Sequence, residues 1–252
     1  MSTSFSSCNA RTGEVLGTLT ASTPADIDAA CTAAAAAFAL WQAGSGAQRA
    51  SLLRALAAGL EAGRETLVAM ADQETALGPV RLNGELDRTA FQLRRFADIA
   101  ERGVPFEYTD DPAVAGAPPA GHRAMQRWLL PLGPVAMYAA SNFPFAFSVL
   151  GGDTAAALAA GCSVVIKAHP GHPQLSQQTY ALIRQVLAAQ NLPAGLVGMV
   201  QGASNEVGVQ LVRHPAIAAA AFTGSTRGGA ALKPRRVRVR FLSTANSVPS
   251  IP

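Results

Sequence analysis

Gly133–Ser225 begins G-P-V-A-M-Y-A-A-S-N-F-P-F, passes through G-G-D-T-A-A-A-L-A-A-G (151–161) and S-V-V-I-K-A-H-P (163–170), and ends A-F-T-G-S (221–225). Each apolar run stops at small or polar residues and is followed by a helix-like segment. The pattern predicts strands at Val135–Ala139, Ser163–Ala168, Leu196–Val200 and Ile217–Phe222, separated by helices at Phe147–Ala160, Leu175–Gln190 and Asn205–Arg213. Strands alternating with helices imply crossover connections and a doubly wound parallel sheet of the α/β class, with ligand-binding loops at the strand ends.

Upstream, the turn around Gly13 is followed by a short strand-like run, and Thr23-Pro24 marks a helix start, with Thr as N-cap and Pro at the first helical position. Ile27, Cys31, Ala34, Phe38 and Trp41 recur at spacings of three and four and form one apolar face. Further helices carry Leu52, Leu53, Leu56 and Leu60, then Leu67, Met70 and Ala71, then, from about Arg81, Leu82, Leu86, Leu93 and Phe96. Gly103–Gly121, rich in Pro, Gly and Ala, reads as a loop, and Arg123–Leu130 as a strand before the turn at Pro131-Leu132-Gly133.

With 49% apolar and 14% charged residues, the 252-residue chain has the means to bury a large core. The net charge of +4 comes from the tail: Lys233, Arg235, Arg236, Arg238 and Arg240 fall in one short run, and the remainder is close to neutral. That distribution, without interleaved aromatics beyond Phe241, argues against a nucleic-acid partner. Three scattered cysteines and four histidines without ligand spacing predict neither a disulfide framework nor a metal site. Met1–Ser7 lacks the basic start and apolar run of a secretory signal, and the absence of a long apolar stretch argues against a membrane partner, so the expected location is cytoplasmic.

No G-x-G-x-x-G follows the first strand, so the ordinary dinucleotide fingerprint is missing. Phe222-Thr223-Gly224-Ser225 offers another route to a phosphate, through a Gly that admits close approach and a Ser hydroxyl beside helix N–H groups. Read without further context, Lys167 is either a ligand contact at the second strand's end or a solvated lysine. Asn142 is likewise either an oxyanion donor or a cap on the turn before Pro144.

In combination, A-S-N-F-P-F, V-V-I-K, L-P-A-G-L-V and F-T-G-S, in that order, resemble the aldehyde dehydrogenase superfamily over residues from about 8 to 232. G-G-D-T-A-A-A-L-A-A-G, K-A-H-P-G-H-P and L-V-R-H-P-A-I point to the branch of 2-oxoglutarate semialdehyde (2,5-dioxovalerate) and fatty aldehyde dehydrogenases. The resemblance implies NAD(P)-dependent oxidation of an aldehyde, here 2-oxoglutarate semialdehyde, to a carboxylate through a cysteine thiohemiacetal. It implies an oxyanion-hole role for Asn142, ribose binding by Lys167, a glycine near the adenine at Gly202, and pyrophosphate binding at Gly224 and Ser225. Further cofactor contacts are implied at Ala140, His169, Phe222 and Thr223. Pro170 stands where many NAD-preferring members carry a glutamate, which favours NADP, with NAD as the alternative.

Three segments are thus expected: 1–122, the N-terminal helical part of the cofactor domain; 123–232, its Rossmann-like NAD(P)-binding part; and 233–252, a tail foreign to the family. With synonymous codons chosen to allow it, Arg240–Pro252 read two nucleotides out of frame spells V-P-F-Y-G-E-L-G-S-V-N-P, which contains the family's general-base motif. The tail is accordingly read as a frameshift product without an evolved fold. The family's nucleophilic cysteine and basic glutamate are not found, so the chain is expected to be inactive, either a cofactor-binding fragment or a partner of a full-length relative. Ending after the fourth strand would expose a sheet edge and favour homo-oligomerisation or aggregation.

Overall fold

The computed structural model describes residues 3–232 and 240–244. The chain opens with an antiparallel hairpin, β1 (Ser4–Cys8) and β2 (Val15–Thr20), turning through Gly13 at φ +75°. Four helices follow: α1 (Pro24–Trp41), α2 (Gly46–Ala62), α3 (Arg64–Thr75) and α4 (Pro79–Glu101). Thr23 caps α1 as expected, in a capping box with Asp26, and Ser45 with Gln48 repeats the device on α2.

A second hairpin, β3 (Tyr108–Asp111) and β4 (Met125–Trp128), precedes the unit that organises the fold. That unit runs β5 (Val135–Tyr138), α5 (Gly152–Ala159), β6 (Val164–Lys167), α6 (Pro173–Ala189), β7 (Val197–Val200), α7 (Asn205–Arg213), β8 (Ala219–Thr223), α8 (Thr226–Leu232) and β9 (Arg240–Thr244). The five strands form a parallel sheet in the order β7-β6-β5-β8-β9.

Alternation along the strands divides the core between two layers. Ala136, Tyr138 and Val165 pack against Ile27, Cys31 and Ala34 of α1 and Val207, Leu211 and Val212 of α7. Met137, Val164 and Ile166 point the other way, into a core shared with Leu52, Leu56 and Leu60 of α2, Leu86 and Leu93 of α4, and Ile183 and Leu187 of α6. Every residue of β5 and β6 is buried, as a sheet covered on both faces requires.

Several expectations are corrected. The helix expected at Phe147–Ala160 begins only at Gly152, because residues 141–151 fold back as an irregular loop: Ala140 N–H donates to the Phe147 carbonyl, and Gly152 N–H to that of Ala146. The approach is so close that a Cβ at Gly151 would lie 2.4 Å from the Ala146 carbonyl oxygen. The Gly103–Gly121 loop contains β3, and the strand expected at Arg123–Leu130 pairs with it rather than joining the parallel sheet. Both strands of this hairpin are exposed along their length, held in part by stacking of Tyr108 on Trp128 with ring centroids 4.9 Å apart. Periodicity had no buried face to report at β3, although the strand expected at Arg123–Leu130 contains β4.

The sheet does not stop at its fourth strand. Arg240–Thr244 lies parallel to β8, from Ala219 opposite Arg240 to Thr223 opposite Thr244. The edge expected to be bare is therefore paired with five residues of the tail that was read as lacking a fold. The rest of that expectation, for 233–239 and 245–252, lies outside the described residues. Exposed large apolar side chains gather instead around the β3–β4 hairpin, at Tyr108, Met125, Trp128, Leu129 and Leu130.

One buried carboxylate joins three segments distant in sequence. Glu74, on α3, accepts from the Ser7 hydroxyl at 2.6 Å and from the backbone N–H groups of Gln174 and Leu175, both at 2.9 Å, in the first turn of α6. Those N–H groups have no partner within their own helix, and the helix dipole favours a negative charge there. Glu74→Ala is expected to lower stability by about 2–4 kcal/mol, read from the denaturation midpoint; an unchanged midpoint would show that water replaces the carboxylate without loss.

Candidate functional site

In the order β7-β6-β5-β8-β9, the chain winds outward from β5 through β6 to β7 and then crosses back to add β8 on the other side of β5, so the strand order reverses there. Loops after β5 and β8 therefore separate and leave a crevice beyond the strand ends, where ligands bind in sheets of this kind. A cleft of about 580 Å³ occupies that place. Its walls are residues 138–143 with Phe147, residues 167–170, the start of α7 at Ser204 and Asn205, and residues 222–225.

Lys167 ends β6 and is 8% exposed. Its Nζ donates to the carbonyls of Ala168 and Gly202, each at 2.8 Å. Burial pushes the amine down to about 8. His169 lines the same wall, and its Nδ1 accepts from Gly171 N–H at 3.0 Å. Burial first, then the neighbouring His172 and Lys167, hold His169 down at about 4, so its imidazole is neutral at physiological pH. An Nδ1 that accepts places the proton of the neutral ring on Nε2.

Asn142 is exposed at the other side of the cleft, on the loop after β5. A second buried carboxylate fixes that loop: Glu85 Oε1, from α4, accepts from Phe145 N–H at 2.8 Å and Ala146 N–H at 2.9 Å. Arg81, one turn earlier, donates to the Asn142 carbonyl at 2.6 Å. Burial raises the Glu85 carboxyl above its usual range, against the two amides and the charges of Arg81 and Arg88.

At the end of β8 the Thr223 hydroxyl donates to Asp153 Oδ2 at 3.0 Å, tying the strand to α5. Burial raises the Asp153 carboxyl. Ser225 Oγ accepts from Gly228 N–H at 3.1 Å. A Cβ at Gly224 would lie 2.8 Å from the Phe222 ring, which would have to shift to admit one.

Of the residues singled out from sequence, Ala140, Asn142, Lys167, His169, Phe222, Thr223, Gly224 and Ser225 all line this one cleft. Gly202 does not; it lies behind Lys167, accepting its amine, at φ +155°. Sequence reasoning missed Tyr138, Phe143, Phe147, Ser204 and Asn205 on the walls, and Glu85 beneath them. Ser204-Asn205 was legible as a helix start; Glu85, placed 60 residues from the amide it binds, left no signal.

Among the described residues no Asp or Glu lines the cleft and Lys167 is its one formal cation, so the wall suits an anion. Cys31 and Cys162 are buried and Cys8 is exposed, and none lines the cleft; burial pushes the Cys31 thiol up to about 11. Also among the described residues, no His, Cys, Asp and Glu cluster could hold a metal, and no helix is long and apolar enough to cross a membrane.

The chain is 42% identical over 208 residues to alpha-ketoglutaric semialdehyde dehydrogenase 2 of Azospirillum brasilense, covering 82% of this chain and 40% of that protein. It is 42% identical over 207 residues to the alpha-ketoglutaric semialdehyde dehydrogenase of Acinetobacter baylyi, covering 82% and 39%. Among solved structures it is similar to the NADP-dependent glyceraldehyde-3-phosphate dehydrogenase of Bacillus halodurans complexed with NADP, with a TM-score of 0.81, 25% identity, and 95% of this chain and 48% of that one covered. A NAD-dependent benzaldehyde dehydrogenase of Corynebacterium glutamicum matches with a TM-score of 0.80 at 25% identity, covering 95% and 51%. The chain spans about 40% of the length of these curated relatives. The sequence model of the aldehyde dehydrogenase family matches residues 1–238, and the chain belongs to that family.

Proposed function

We propose that the chain is the cofactor-holding portion of an NAD(P)-dependent semialdehyde dehydrogenase, acting on 2-oxoglutarate semialdehyde and preferring NADP. The observation that carries this reading is the convergence, in one cleft beyond the parallel strands, of Asn142, Lys167, His169 and the Thr223–Ser225 turn. The semialdehyde rests on the two relatives named for that activity.

The residues fit a nicotinamide dinucleotide. The ammonium of Lys167 offers a donor to ribose hydroxyls, Gly224 leaves the backbone open to the pyrophosphate, and the Ser225 hydroxyl hydrogen is available to its oxygens. Bound in its oxidised form, the cofactor supplies a hydride acceptor. The Asn142 side-chain amide is a donor for the oxyanion that develops when a nucleophile adds to the aldehyde carbon. Glu85 and Arg81 hold that amide's backbone in place. With Pro170 in place of a carboxylate and, among the described residues, no acid on the cleft wall, a 2′-phosphate meets no carboxylate on that wall.

Thiohemiacetal chemistry needs a thiolate beside the carbonyl, and none of the three cysteines lines the cleft. The 252 residues are accordingly proposed to bind the cofactor without turning over. An assay with NADP and the semialdehyde is expected to show no NADPH formation; turnover abolished by Asn142→Ala would overturn that reading. Fluorescence titration with NADPH is expected to show saturable binding, weakened about tenfold or more by Lys167→Met, through loss of a charge-assisted hydrogen bond.

The pH dependence follows from Lys167. A bound anion stabilises the ammonium, so binding takes up a proton wherever the free amine is neutral. NADPH affinity is therefore expected to be steady well below pH 8 and to fall as the pH rises through about 8. In Lys167→Met the same titration is expected to be flat across that range; a fall of equal steepness in the variant would assign the dependence to another group.

A further inference from the structure

We propose that Arg88 of α4, beside Arg81, holds the carboxylate of the semialdehyde while Asn142 meets its aldehyde oxygen. The choice of ligand rests on the semialdehyde reading above. Phe143 and Phe147 line the cleft on the side of Asn142 and pack edge to face, with ring centroids 5.1 Å apart. Two guanidinium groups stand over these rings. Arg81 Cζ is 5.1 Å from the Phe143 centroid, and Arg88 Cζ is 5.3 Å from that of Phe147 and 6.0 Å from that of Phe143. Two cations are therefore gathered at the wall that carries the oxyanion donor, across the cleft from Lys167.

The acids nearest in sequence do not neutralise them. Glu85 Oε1 accepts from the amides of Phe145 and Ala146, and Asp87 pairs with Arg64. Arg81 spends an N–H on the Asn142 carbonyl. Arg88 is exposed and has no hydrogen-bond or ion-pair partner among the described residues. Cations that share a ring repel each other, and a bound anion relieves that repulsion. A guanidinium stacked on a ring keeps its N–H groups in its own plane, free to meet a carboxylate in two parallel bonds. The rings add an apolar surface for the methylenes that separate the aldehyde from the acid. An oxyanion donor, an apolar stretch and a cation pair match the order of groups along 2-oxoglutarate semialdehyde.

The probe is 2-oxovalerate, which has the keto acid of the semialdehyde but no aldehyde to react, with 2-pentanone as its uncharged counterpart. Backbone amide shifts of the isotopically labelled full chain are expected to saturate with 2-oxovalerate at Asn142–Phe147 and around Arg88. Arg88→Met is expected to raise its dissociation constant about tenfold, the scale of a hydrogen bond between charged groups. Arg95→Met removes an equally exposed cation about two turns further along α4 and is expected to change it about twofold or less. The denaturation midpoint of Arg88→Met is expected to stay that of the unsubstituted chain, and so is its affinity for NADPH. No saturable shifts, or shifts centred on Lys167, would overturn the assignment. Equal losses in Arg88→Met and Arg95→Met would reduce it to general charge, and equal affinity for 2-pentanone would leave the rings alone responsible. Inorganic phosphate binding as tightly as 2-oxovalerate would refute a carboxylate site, and weakened NADPH binding in Arg88→Met would give the arginine to the cofactor. If the unsubstituted chain binds 2-oxovalerate through Arg88 but does not bind NADPH, the cofactor reading fails and the carboxylate site stands.

Discussion

The structure depends on the position of β5. It is hydrogen-bonded on both sides, to β6 from Val135↔Val164 to Tyr138↔Lys167 and to β8 from Val135↔Ala219 to Tyr138↔Phe222. The β7-β6-β5 half is wound away from it one way, and β8 with β9 lie on the other side. Because the two crossovers diverge, the chain leaving β5 has no neighbour directly above it, and the gap becomes the cleft. The proposed roles of Lys167 and of the Thr223–Ser225 turn follow from which residues end β6 and β8.

Strand ends supply the site but do not hold its shape. That is done by buried carboxylates whose charge is met by backbone N–H groups. Glu74 binds the start of α6, the helix that follows the Lys167 wall, while Glu85 binds the loop that carries Asn142. Burying a carboxylate is costly unless such donors compensate it, and at Glu85 the compensation is partial: burial prevails in raising its carboxyl, and Oε2 has no partner among the described residues. The two clamps come from α3 and α4, which links the helical first part of the chain to the cleft rather than leaving it a separate shell. Residues of α2 and α4 also share one apolar core with β5 and β6.

What was legible in the sequence was whatever local periodicity or turn chemistry encodes. The four strands from Val135 onward and the cap at Thr23 were of this kind, as were the cleft residues that ended strands. The late start of α5 was not, because Phe147–Leu150 have helical spacing but lie in a loop closed by its own backbone hydrogen bonds and held by Glu85. β3 was missed because it has no buried face, whereas β4 lies within the strand expected at Arg123–Leu130. β9 was missed because Arg240–Thr244 was read as foreign to the family, and the backbone pairing with β8 takes little notice of side-chain identity. Glu74 and Glu85 look like ordinary helix-surface acids until the partner segments, about 60–100 residues away, are brought to them.

The central claim is that one cleft, at the ends of β5, β6 and β8, holds the dinucleotide. Mapping backbone amide chemical shifts while NADPH is added to the isotopically labelled chain tests it most directly. The account expects saturable shifts concentrated at Ala140–Phe143, Lys167–Gly171, Ser204–Asn205 and Thr223–Ser225, with α2 and α3 left unchanged. Shifts confined to the helical first part of the chain, or none at any of the three strand ends, would contradict it.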